Sequence, residues 1–91
     1  MGVFSDLQEI EIEGSLIRLE ASSNLIGFEY YLIIDGIKQD QVKGLFGTFY
    51  LHGRLNEHKE SNITVVIKQG GFGTKFSVQY KGQEFTPRKI H

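Results

Sequence analysis

The 91-residue chain has no cysteine, no tryptophan, one proline and one methionine. Without cysteine there is no disulfide, no thiolate metal site and no cysteine nucleophile, and the composition suits a reducing cytoplasm. No apolar run approaches the roughly 20 residues that span a bilayer as a helix. The opening MGVFSDLQEIEIEG lacks a basic start followed by an apolar block, so no signal peptide is expected. Net charge is −1, so nothing in it demands a nucleic acid or an anionic membrane. Helical 3.6-residue periodicity is also missing; RLNEHKES has room for one helical turn at most.

What remains is an ordinary hydrophobic share of 40% and a charged share of 23%, the balance of a folded chain. The length suits one domain with a modest core. Charge is uneven along it. Residues 1–45 hold eight acids and three bases, and residues 46–91 hold three acids and seven bases. The halves therefore attract each other within one molecule, or the asymmetry serves head-to-tail self-association or an acidic partner.

A repeat underlies this division. Shifting the chain by 46 positions lays Ser15–Lys38 on Ser61–Glu84 without a gap. Ser15 meets Ser61, Ile17 meets Ile63, Gly27 meets Gly73 and Gly36 meets Gly82. In each copy apolar residues alternate with others: Ile17, Leu19, Ala21 and Tyr30, Leu32, Ile34 in the first, Ile63, Val65, Ile67 and Phe76, Val78, Tyr80 in the second. Period-2 alternation places each set on one face of a strand. Asp35-Gly36 and Lys81-Gly82 read as tight hairpin turns. LQEIEIE, GTFYLHG, IKQDQV and QEF supply further strands, with Ile10 and Ile12 inward. The expectation is an all-β fold of about seven or eight short antiparallel strands, a sandwich or flattened barrel. It is a single domain with pseudo-repeat halves at about 1–46 and 47–91, because neither half buries its own face alone.

FEYYLIIDGIKQ, then GTFYL, then ITVVIKQGGFGTKFSVQYKGQEF resembles the all-β domains of the Fas apoptosis inhibitory molecule family. The matching residues are Tyr30, Leu32, Ile34, Asp35, Gly36 and Lys38, then Phe49 and Tyr50. Ile63, Val65, Gly71, Phe72, Phe76, Val78 and Gly82 follow. The resemblance covers residues 15–86 and implies a non-enzymatic, intracellular β-sandwich that acts through protein contacts. Members usually carry two such domains; this chain has the length of one.

Catalytic constellations are weak. His52 and His58 flank a polar loop with Glu57 and Glu60, a spacing that does not force convergence on a metal, and His91 is terminal. QGGFGTK lacks the phosphate-loop spacing. Ser22, Ser23 and Thr74 have no evident base, and EIEIE reads as the wet side of a strand. Lys68, Lys75 and Lys81 lie near Phe72, but no oligonucleotide-binding signature accompanies them. Neither catalysis, a metal, a cofactor nor a nucleic-acid partner is expected. The glycine-rich loops read as connections, and Leu25, Ile26 and Phe28 in the first of them support a structural role. Their alternative use is as the mouth of a small-ligand site built on Phe28, Phe72 and Lys75.

The copies differ on their outer faces. Ser77 and Gln79 of the second copy stand where the first has Tyr31 and Ile33, and Leu16 adds a third apolar residue. A strand apolar on both faces needs a second cover. That cover is internal, for instance Val3, Phe4 and Leu7 folding across, or it is another molecule. Leu16, Tyr31 and Ile33 are therefore the candidate interaction face, for a protein partner or a second copy in a homodimer.

Overall fold

A computed structural model describes residues 5–55, 61–71 and 73–90. Nine strands run along them: β1 (Ser5–Ile12), β2 (Ser15–Asn24), β3 (Gly27–Ile34), β4 (Ile37–Gly44), β5 (Gly47–Arg54), β6 (Asn62–Gly70), β7 (Gly73–Tyr80), β8 (Gln83–Phe85) and β9 (Arg88–Lys89). The first four form consecutive hairpins, and β9 returns to pair with β1, so one sheet has the order β4-β3-β2-β1-β9. The other runs β5-β6-β7-β8. The sheets face each other as an open sandwich and do not close into a barrel. The strand beyond the expected count is β9, whose two residues pair with Gln8 and Glu9 and are too few to alternate.

Register follows the turns. Glu13-Gly14, Asp35-Gly36 and Lys81-Gly82 each place two successive residues at positive φ. That twist matches the right-handed twist of the flanking strands, which selects a two-residue connection. In the β2–β3 pair Ile17 faces Ile34, Leu19 faces Leu32 and Ala21 faces Tyr30. In the β6–β7 pair the residues 46 positions later face each other in the same way: Ile63 with Tyr80, Val65 with Val78, Ile67 with Phe76. All twelve side chains point between the sheets and are buried there with Leu51 and Ile12.

The β4–β5 side of the sandwich is held by side chains. Between Leu32 and Ile33 the β3–β4 register slips, since Leu32 faces Asp40 while Ile33 faces Lys38. Gln39 is the bulged residue left over, and a bulge re-aims its side chain. Gln39 Oε1 accepts from the Arg54 amide at 2.7 Å, and its Nε2 donates to the Arg54 carbonyl at 2.9 Å. Asp40 accepts from the His52 amide at 2.8 Å. Backbone groups on the outer edge of β5 are thereby occupied, which blunts an edge that would otherwise template another strand.

Close approach across the same side depends on Gly44. The Phe49 ring lies so near that a Cβ at position 44 would sit 2.2 Å from it. At Gly70, by contrast, a Cβ meets nothing within 4 Å. Overpacking of this kind costs about 1–3 kcal/mol. Gly44→Ala is expected to lower stability by that amount in denaturant unfolding, whereas Gly70→Ala leaves it nearly unchanged.

Candidate functional site

Three connections meet at one end of the sandwich. Asn24 faces Gly27 across the β2–β3 turn, Phe28 faces Gly44 where β4 ends, and Gly47 faces Gln69 where β6 ends. The turns carrying Leu25-Ile26, Leu45-Phe46 and Gly70–Gly73 are therefore neighbours.

Gln69 fixes the last of these. Its Nε2 donates to both carbonyls bracketing the turn, Gly70 at 3.0 Å and Gly73 at 3.1 Å. Its Oε1 accepts from Thr74 and, across the sandwich, from the Tyr30 hydroxyl at 2.7 Å. Every hydrogen-bonding position of the amide nitrogen is used, as burial demands. Tyr30 is fully buried, and desolvation pushes its phenol up to about 12. Around it stack Phe28, Phe49 and Phe76, with ring centroids 5.6 to 6.4 Å away.

Above this rigid floor the turn tips are apolar and exposed. Leu25 is 97% exposed, Ile26 85%, Phe46 65% and Leu45 58%. Phe46 meets Phe28 edge-on at 6.0 Å, so its ring is held at the base while one side faces out. Of the three residues expected to support a structural role for this loop, Phe28 packs against the core, whereas Leu25 and Ile26 stand in water. A two-residue turn projects its tips beyond the sheet, where no second layer can cover them. Two consecutive apolar residues between paired strands were the available signal.

The predicted loop site is divided. Phe28 lines a cleft of about 220 Å³ with Ile26, Gly27, Glu29, Lys43, Gly44 and Leu45. Lys75 lines another, of about 400 Å³, with Gly70, Gly71, Gly73, Thr74, Lys89 and Asp6. Phe72, Val3 and Phe4 lie outside the described residues, as do Glu57, His58, Glu60 and His91. Asp6 points inward beside Ala21, is buried, and its Oδ1 has no hydrogen-bond partner among the described residues; Gln8 reaches the other oxygen at 3.4 Å. Its role is not legible along the chain, because Ile10 and Ile12 further along β1 point to a purely apolar inner side.

Leu16, Tyr31 and Ile33 all lie on the outer side of the five-stranded sheet. Tyr31 and Ile33 are half-buried. Tyr31 donates to Glu29, which also pairs with Lys43 at 3.4 Å, and Lys38 lies over the Tyr31 ring at 5.4 Å. The hydroxyl bond, more than the lysine, holds the Glu29 carboxyl below its ordinary range, and the same bond raises the Tyr31 phenol. Ile33 sits between Arg18 and Lys38. Leu7 is on this side too, half-buried and opposite Glu20. Leu16 remains 42% exposed and borders a notch with Glu9, Ile10, Glu11, Thr86 and Arg88. Leu16 is thus separate in character from the other two, whose apolar surface is shared with neighbouring polar groups.

Among the described residues no three His, Asp or Glu side chains converge as metal ligands, and no helix is long and apolar enough to cross a membrane. His52 is exposed, with Thr64 at 3.4 Å. Comparisons of the chain with family models, with curated proteins and with solved structures find no match.

The buried phenol predicts an alkaline transition. Below about pH 10 Tyr30 is protonated in both folded and unfolded chains and contributes no pH dependence. From about pH 10 to 12 the unfolded phenol ionises while the buried one resists, so stability falls by about 2–3 kcal/mol. Melting temperature measured across that range should drop, and Tyr30→Phe should flatten the slope, at about 1 kcal/mol lower stability at neutral pH from the lost bond.

Proposed function

We propose that the protein is a non-catalytic protein-interaction module whose working surface is the loop end. The observation that carries this reading is the exposure of Leu25, Ile26, Leu45 and Phe46 together on a floor fixed by the Tyr30–Gln69 bond. Clustered apolar side chains in water mark contact surfaces, and a preorganised surface loses little entropy on binding. The resemblance to Fas apoptosis inhibitory molecule domains, which implies action through protein contacts, supports the same class. A cytoplasmic setting fits the absence of cysteine.

A small ligand is the second reading, favoured by one observation. The cleft of about 400 Å³ sets a buried carboxylate, Asp6, against the amines of Lys75 and Lys89. Opposite charges at floor and rim suit a zwitterion of amino-acid size, its ammonium group toward Asp6. A thermal-shift screen of amino acids separates the readings. Stabilisation that Asp6→Asn abolishes would favour the ligand site.

The interaction reading is tested with a photo-crosslinking residue at position 26 in living cells, and the same residue at exposed Gln79 as control. Discrete protein adducts from position 26 alone are expected. Replacing Leu25, Ile26, Leu45 and Phe46 by serine should leave the melting temperature within a few degrees, because exposed residues contribute little to folding. No adduct from position 26, or a collapse of the serine variant, would overturn the reading.

A further inference from the structure

Resting on the protein-interaction reading, we infer that a partner's extended peptide adds as a strand to the half of β7 nearest the loop end and places a lysine or arginine beside Asp6. Strand β8 pairs only with Val78, Gln79 and Tyr80, so residues 73–77 have no strand on that side among the described residues. Lys81-Gly82 is a two-residue turn, so Tyr80 and Gln83 exchange both main-chain bonds across it. Counting back along β7 by twos turns the N–H and C=O of Phe76 and Thr74 to the same side, where no main-chain group among the described residues meets them. The edge of β5, in contrast, is capped by Gln39 and Asp40. A row of unpaired main-chain donors and acceptors fits one kind of occupant, an extended backbone.

The surroundings of this edge select the side chain. The cleft of about 400 Å³ runs between Gly73, Thr74 and Lys75 on one sheet and Asp6 and Lys89 on the other. Asp6 is 4% exposed, and its Oδ1 has no hydrogen-bond partner among the described residues. A second oxygen in the same state lies further along the inner side. Asp6 faces Ala21, and Ser23, the next inward residue of β2, is buried with its Oγ unpartnered. Buried oxygens without donors are costly, and a lysine or arginine head brings several N–H groups to one place. Thr74 and Phe76 send their side chains inward, to Gln69 and the core. A strand residue paired opposite them does the same, which carries its side chain into the cleft.

The cations act on the other side of the added strand. Lys75 lies on the outer side of β7, opposite Lys68. The residues before and after the basic one point that way, so acidic flanks fit there. Lys89 borders the cleft but is exposed, and salt and water screen it, whereas the buried carboxylate acts with little screening. A second copy paired antiparallel through the middle of the same stretch would set Lys75 against Lys75, and like charges directly opposite are destabilising. The occupant is therefore a foreign strand with a basic residue between two acidic ones.

The probe is the synthetic peptide Thr-Val-Glu-Lys-Glu-Val-Thr with blocked ends, added to the full chain up to millimolar concentration while backbone amides are followed by NMR. The amides of Thr74 and Phe76 should shift and gain protection from exchange, with little change along β4 and β5. Methylating the amide nitrogen of the peptide's lysine, or replacing that lysine by norleucine, should weaken binding about tenfold. Asp6→Asn should weaken the lysine peptide by a similar factor and leave the norleucine peptide unchanged. Melting curves check that this variant keeps the fold, and the norleucine peptide on the wild type carries the test if it melts low. No shift at Thr74 and Phe76, equal binding by the methylated or the norleucine peptide, or the same shifts from free lysine would overturn the inference. The variant with serine at positions 25, 26, 45 and 46 should bind the peptide as the wild type does, so failure of the turn tips as a contact surface leaves this result standing. Adducts from position 26 with no shift at Thr74 and Phe76 would sink strand addition and leave the loop-end reading intact.

Discussion

The hydrogen bond from Tyr30 to Gln69 joins the two sheets where the rest of the loop end depends on it. One sheet contributes the phenol and the other the amide, at 2.7 Å and away from water. Buried polar atoms without partners are costly, so a bond that satisfies both groups also penalises any sliding of one sheet over the other. The same amide grips the carbonyls of Gly70 and Gly73, so the sheet-to-sheet contact and the shape of the turn are one device. At the far end Ser15 donates to the Leu55 carbonyl at 3.1 Å, a second polar tie between the layers. Between the ties the core is apolar and its packing is non-directional; the ties supply direction.

Equal registers do not give equal surfaces. The β2–β3 and β6–β7 hairpins pair residue for residue, yet their outer sides diverge. The second carries Thr64, Lys68, Ser77 and Gln79 and needs no cover. The first carries apolar residues interleaved with Glu9, Arg18, Glu29, Lys38 and Lys43, whose stems and ion pairs cover much of Tyr31 and Ile33. The apolar side chains still facing water are those of the turn tips, with Ile37, Tyr50, Ile90 and Leu16 standing singly elsewhere. Single outward side chains on a shared backbone pattern decide where this molecule presents apolar surface to water.

The strands and their inward residues were legible in the sequence because period-2 alternation is a local signal. Ile17, Leu19, Tyr30 and Val78 declare themselves within a few positions. Gln39 did not: a bulge interrupts alternation by one residue and resembles noise until the partner strand is known. Asp6 and Gln69 were hidden for a related reason. A polar residue on an inward face makes sense only with its partner from the other sheet, 39 residues away for Tyr30 and Gln69. Leu25 and Ile26 were visible, but apolar residues suggest burial, and only the two-residue turn geometry places them in water. Tyr31 and Ile33 were correctly placed on the outer side, while the polar groups beside them come from neighbouring strands that one strand's pattern does not include.

Backbone amide hydrogen exchange compared between the wild type and Gln69→Leu tests the account most directly. In the variant, exchange should quicken at the loop end, at residues 26, 28, 45, 46, 71 and 74, while the Ser15–Leu55 end keeps its protection. Exchange unchanged throughout, or quickened equally at both ends, would contradict it.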